Sequence, residues 1–285
     1  MDVDDNVKLH SVSIPKHTGF VGIFLDSLAW WLEHSVGVKV NRFESSSSSA
    51  VLPIVLNHDH GNRMDAVLDM RPTPDLHFSA GLCWKRTWSG ACSMLPRMRP
   101  LPPLVQKQWE INNELYGWSG PKRDLVLAPH WMGSETEPLT LRRRAIISKL
   151  RQEFGDHRVD TSIRSRQSFW RAAVSAKCVV HVAGLYPGYL DRTVIECMAH
   201  GVPVVTDVIT NFPSAIVIEP FKHYVPAAPT PDGFVEAVRW VYDHESCLAD
   251  ISDRARQWYR DATDPSYVLE LLMSTDPVML RQSRE

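Results

Sequence analysis

The run from Cys178 to Asp207, CVVHVAGLYPGYLDRTVIECMAHGVPVVTD, leaves few choices of fold. Its first six residues, Cys178 to Ala183, are apolar enough to read as a buried strand. A Gly/Pro loop follows. Arg192 to His200 carries helical periodicity and is closed by Gly201, with Pro203 just beyond. Val202 to Thr206 is the next buried strand. Two buried strands joined through a helix run parallel, with a right-handed crossover. The expected class is therefore α/β.

The same alternation extends on both sides. From Lys122 onward, the pattern predicts a strand at Leu125 to Ala128, a helix at Leu139 to Phe154 and a short strand at Val159. A helix at Ser168 to Ala176 follows, then a strand at Ala215 to Ile218. Phe234, Ala237, Val238, Val241 and Tyr242 mark an amphipathic helix, and Leu248 to Tyr259 another. Near the start, residues 7 to 14 read as a strand and Pro15 to Gly22 as a turn. Phe24, Leu25, Leu28, Trp31 and Leu32 then recur at helical spacing. Five serines at 45–49 read as a surface loop. Val51 to Leu56 is a buried strand that enters Asn57-His58-Asp59-His60-Gly61. In the stretch 76–120 only a helix at Leu104 to Leu115 is placed. The expected organisation is an N-terminal half over 1–120, a C-terminal half over 121–262, and a last helix in 263–285 that returns to the N-terminal half.

Composition narrows the function classes. The 285 residues are 44% hydrophobic and 22% charged, with a net charge of −2, so no global basic field points to nucleic acid. The five cysteines show no CxxC spacing; several lie in apolar runs and read as small core residues, which points to a reducing compartment. The N-terminus MDVDDNVK is unlike a signal peptide, and no apolar run approaches the roughly 20 residues that span a bilayer. A cytoplasmic location is expected (host cytoplasm if the source is viral).

The chemistry centres on the loop into the Arg192 helix. A helix N-terminus carries partial positive charge and free N–H groups, which suits a diphosphate. Arg192 can add a bidentate phosphate contact. Glu196 lies one turn on, where a carboxylate can accept the hydroxyl hydrogens of a ribose. The competing reading is an i,i+4 surface ion pair. The His58, Asp59 and His60 loop is placed to line a cleft, against the reading of a polar turn. The loop with His17, Thr18 and Gly19 can approach phosphate or acceptor, against the reading of a tight turn with Gly19 in an unusual backbone angle. Seven of the ten tryptophans precede residue 132 and read mainly as packing. Residues 142–171 hold eight arginines and one lysine against three acids, a solvated helix face or a phosphate-binding surface.

The run Arg192-x-x-x-Glu196-x-Met198-Ala199-x-Gly201-x-Pro203-Val204-Val205 resembles the nucleotide-sugar signature of retaining GT-B glycosyltransferases of group 1. The resemblance implies a GT-B-like architecture, with two Rossmann-like domains whose parallel sheets face a cleft. It places the donor on the C-terminal domain, with Arg192, Glu196, Thr193, Tyr189, Gly188 and His130 as donor-binding residues. The acceptor falls to the N-terminal domain. His58, Asp59, His60 and Asp191 become the catalytic candidates, and His17, Thr18 and Gly19 a phosphate or acceptor loop. A UDP- or GDP-sugar is the implied co-substrate, with no tightly bound cofactor and no required divalent metal. Acceptors to consider are a saccharide, a lipid-linked sugar, a metabolite or a hydroxymethylated DNA base. Two positions depart from the family. Gly188 stands where its first carboxylate is expected, with Asp191 as the nearest acid, and the loop Pro129 to Thr136 offers His130 but no Lys. A nucleotide-sugar epimerase and a non-catalytic GT-B-like module are the alternatives.

Overall fold

The first half builds one sheet and one largely apolar helix. The computed structural model describes residues 9–16, 19–44, 51–58, 63–69, 82–85, 98–100, 117–121, 123–128, 137–162, 165–184, 188–212 and 217–264. Strand β1 (Leu9–Pro15) leads into α1 (Gly19–Trp31), which continues as a single π turn over Leu32–Val36 and ends at Gly37. The following strands are β2 (Lys39–Phe43), β3 (Val51–His58), β4 (Arg63–Asp69), β5 (Leu82–Lys85) and β6 (Met98–Pro100). Their order in the sheet is β2-β1-β3-β4-β5-β6. Val12 and Ile14 of β1, Leu25 and Leu28 of α1, and Leu32 of the π turn are fully buried.

This sheet is mixed rather than all parallel. β1–β2, β4–β5 and β5–β6 are parallel, while β3 is antiparallel to both β1 and β4. The reason lies in chain length. Only residues 59–62 separate β3 from β4, whereas a parallel crossover takes a dozen or more residues.

The second half builds its own sheet from β7 (Val126–Leu127), β8 (Val159–Asp160), β9 (Cys178–His181), β10 (Val204–Asp207) and β11 (Val225–Ala227). Its helices are α2 (Glu137–Phe154), α3 (Arg166–Ala173), α4 (Arg192–His200), α5 (Pro231–Asp243) and α6 (Leu248–Ala262). All pairings are parallel, in the order β11-β10-β9-β7-β8. Numbered within this half, that is the doubly wound order 2-1-3-4-5. Every residue of β7, β9 and β10 is buried, as a sheet covered on both faces requires. The strand expected at Ala215 to Ile218 is not there. Val217 and Ile218 belong to no strand, 215–216 lie outside the described residues, and the strand after β10 is β11.

The chain divides into two compact units, one of Met1–Glu110, Phe212–Val217 and Asp261–Glu285, the other of Ile111–Asn211 and Ile218–Arg260. Trp118 shows why the division precedes residue 120. Its indole donates to the Ala176 carbonyl at 3.1 Å, its backbone N–H to His200 at 3.1 Å, and Arg256 donates to its carbonyl at 3.0 Å. At the other end, the Trp31 indole donates to the Thr263 carbonyl at 3.2 Å, within the first unit. The helix read at Leu104 to Leu115 and the tail beyond Asp264 lie outside the described residues.

Candidate functional site

In a doubly wound sheet, ligands bind beyond the carboxyl ends of the strands, where the strand order reverses. Here the reversal falls between β7 and β9. Leaving β9, the chain passes Gly184 and enters α4 at Asp191. Asp191 is the N-cap, with extended backbone, and its Oδ1 accepts the Thr193 N–H at 3.2 Å. Its Oδ2 lies 3.2 Å from Nε2 of His181, a buried residue at the end of β9. Both carboxylate oxygens of Asp191 are therefore engaged in holding the entrance of the helix.

One turn into α4, Arg192 Nε donates to Glu196 Oε1 at 2.8 Å. The Glu196 side chain is 2% exposed and that of Arg192 23%. This is not the solvated i,i+4 pair of an ordinary helix surface. A carboxylate so far removed from water demands its partner. Val194, Cys197 and Met198 bury the face of α4 that meets the sheet. Gly201 closes the helix at φ 65°, where a Cβ would stand 2.8 Å from Ser252 Oγ and Arg256 Nε.

Gly188 has a physical explanation of its own. Its φ is 88°, and a Cβ built there would lie 2.6 Å from Thr210 Oγ1 and 3.3 Å from Asn211 Nδ2. Its carbonyl accepts the backbone N–H groups of Thr210 (2.9 Å) and Asn211 (2.8 Å), and Tyr189 bridges Asn211 beside it. The backbone angle and the packing both disfavour a side chain at 188.

The remaining residues singled out from sequence fall elsewhere. His17, Thr18, Asp59, His60 and His130 lie outside the described residues. Gly19 is the first residue of α1, with helical backbone, rather than a turn residue with an unusual angle. His58 ends β3 and pairs in register with Leu9, whereas Pro15 ends β1 next to the loop that precedes Gly19. β1 is seven residues long, so at 3.3 Å per residue His58 and Pro15 stand about 20 Å apart, at opposite ends of β1. β3 is antiparallel to β1 and β4, so His58 ends a strand that runs opposite to β1.

Three residues escaped the sequence reading. Arg142, in α2, forms a close ion pair with Asp207 at the end of β10. The other oxygen of Asp207 accepts the Ala183 N–H at 2.8 Å. Arg143 is buried and donates to the Val182 carbonyl at 3.3 Å. The available signal was weak: Asp207 closes the informative run, but the arginines read as a solvated face. Further along that face, Arg151 meets Asp156 at 3.4 Å and Arg158 meets Asp124 at 3.0 Å. Among the described residues, no group of three His, Cys, Asp or Glu is placed to hold a metal ion, and no helix is long and apolar enough to cross a membrane.

No family model matches the sequence, and no curated protein matches it. In fold the chain is similar to solved glycosyltransferases. Sucrose-phosphate synthase from Thermosynechococcus elongatus aligns at 12% identity over 65% of this chain and 51% of its own, with a TM-score of 0.40. A glycosyltransferase from Rickettsia africae aligns at 11% identity over 71% and 57%, with a TM-score of 0.41. WaaG, a glycosyltransferase involved in lipopolysaccharide biosynthesis, aligns at 14% identity over 62% and 57%, with a TM-score of 0.39. The chain spans about half the length of these structures. Likeness at this level concerns the course of the chain and carries nothing about the chemistry.

Proposed function

We propose that the chain is a glycosyltransferase that takes a hexose from a UDP- or GDP-sugar and transfers it to an acceptor hydroxyl. The observation that carries this reading is the β9–α4 corner. It joins a capped helix N-terminus, an arginine in the first turn and a nearly buried carboxylate, at the sheet edge where doubly wound folds bind ligands. The departing diphosphate takes on negative charge as the sugar leaves. In this reading the Arg192 guanidinium and the N–H groups at the start of α4 other than that of Thr193 meet it. Glu196 holds Arg192 through Nε, which fixes the orientation of the guanidinium. Asp191 serves the helix entrance through both oxygens, so its part in this reading is to shape the site rather than to attack the sugar.

For the acceptor side, His17 and Thr18 are preferred over His58 to His60, because in sequence they follow the carboxyl end of β1. Arg142, Arg143, Arg151 and Arg158 are engaged within the protein. That favours a saccharide, lipid-linked sugar or small metabolite over a DNA base as acceptor. One observation favours a second reading. Gly188 excludes the carboxylate that retaining enzymes of this kind place there, which suits a module that binds the nucleotide without transfer. Incubation with UDP- and GDP-hexoses and a panel of acceptors separates the two. Acceptor-dependent release of the nucleoside diphosphate marks the transferase, and binding without release marks the module.

A further inference from the structure

Asp207 has a property that packing alone does not require. It is 3% exposed, at the carboxyl end of the interior strand β10. Moving a carboxylate out of water costs several kcal/mol, and well-packed apolar residues often serve stability as well as a buried ion pair. A purely structural position would not need the charge. Each oxygen of Asp207 instead has its own partner on a different element. One receives the guanidinium of Arg142 from α2, the helix that follows β7. The other receives the N–H of Ala183, two residues past the end of β9. Arg143, next in α2, donates to Val182 in the same segment. A single carboxylate thus joins α2, the exit of β9 and the end of β10, and the first two flank the point where the strand order reverses.

The segment held in this way is the one that leads to Asp191 and Arg192. Its far end is tied by Asp191 to Thr193 N–H and to His181. Its near end is tied by Asp207. We infer that Asp207, braced by Arg142, is a positioning residue for nucleotide binding, fixing the β9–α4 segment so that the start of α4 and Arg192 are presented in one geometry. This rests on the donor-site reading above and extends it to a residue that touches no ligand.

The test uses Asp207→Ala, Asp207→Asn, Arg142→Met and Arg142→Lys, with two readouts at a temperature where every variant is folded. The first is amide hydrogen exchange of the segment from Ala183 to Thr193. The second is the dissociation constant for UDP and GDP. Loss of a hydrogen bond to a charged group corresponds to about tenfold or more. Asp207→Ala is expected to raise both exchange and dissociation constant by that factor, with Arg142→Met weaker in the same direction and Arg142→Lys close to wild type. If Asp207→Ala does not fold, Asp207→Asn and Arg142→Met carry the comparison. Lower melting temperature with unchanged nucleotide affinity assigns Asp207 a structural role only and overturns the inference. Unchanged exchange at Ala183 to Thr193 also overturns it. Failure of the wild-type protein to bind either nucleotide overturns instead the donor-site reading on which it rests.

Discussion

At position 188 backbone angle and crowding act together, and the consequence is measurable. Positive φ in a residue with a Cβ costs on the order of 1–3 kcal/mol, and Thr210 Oγ1 occupies the space the Cβ needs. Gly188→Ala is therefore expected to lower unfolding free energy by about that amount in urea titration, and Gly188→Glu to lower it further rather than supply a catalytic carboxylate. Arg192 and Glu196 give an asymmetric expectation. Arg192→Ala removes the Nε–H donor of a carboxylate that is 2% exposed, whereas Glu196→Ala removes an acceptor of a guanidinium that is 23% exposed. Breaking a fully buried pair costs about 3–5 kcal/mol. Arg192→Ala is expected to approach that range and Glu196→Ala to fall below it, and equal losses would contradict the burial argument. The cysteines separate in the same manner. Burial pushes the Cys178 thiol up to about 12, Cys197 is also buried, and Cys247 is exposed. Mass spectrometry after brief alkylation of the native protein is expected to find Cys247 modified and Cys178 and Cys197 intact. The Arg192–Glu196 pair was legible because Arg-x-x-x-Glu places both residues on one helix face. Asp207 was not, because its role depends on a side chain 65 positions away.

Among the elements, α4 was legible to the residue, since a cap, a period and a C-terminal glycine all mark it. The β3–β4 pairing was not, because an apolar strand followed by a polar loop looks the same before a helix and before a hairpin. β11 was missed for a different reason: three residues with a central proline carry no period. The tryptophans at two helix ends also had a local use that composition does not reveal. His34 and His244 each stack on the tryptophan four residues earlier and donate Nδ1–H to its carbonyl, at 2.9 and 3.0 Å. The turn before β11 carries a pH-dependent expectation. His223 is buried, and its Nδ1 accepts the Glu219 N–H at 3.0 Å, which requires the neutral ring. Burial, helped by the Lys222 charge, lowers its pKa below the ordinary 6.5. The unfolded chain then binds the proton more readily than the folded one, so stability is complete above 6.5 and declines as pH falls below it toward the lowered value. His223→Asn, which keeps an acceptor without the titration, is expected to flatten this decline in urea titrations at successive pH values. An unchanged slope would show that His223 is not its source.

At the scale of the molecule, one α/β chain forms two compact units, one with a mixed sheet and one with a fully parallel doubly wound sheet. The second unit was the more legible because parallel strands buried on both faces leave continuous apolar runs in the sequence. The first was less so, because its strands after β3 are short or interrupted by charge, as in Arg63–Asp69. The donor-site reading rests on the second unit, and nucleotide binding tests it most directly. UDP, GDP and their hexose conjugates are added to the wild-type protein and to Arg192→Lys, which keeps the charge but not the guanidinium fork, and thermal stability is followed. At a hundred times its dissociation constant, a bound nucleotide adds about 2.7 kcal/mol. The account predicts a shift of that size for one nucleotide, reduced in Arg192→Lys. A folded wild-type protein that shows no shift with any of them would contradict it.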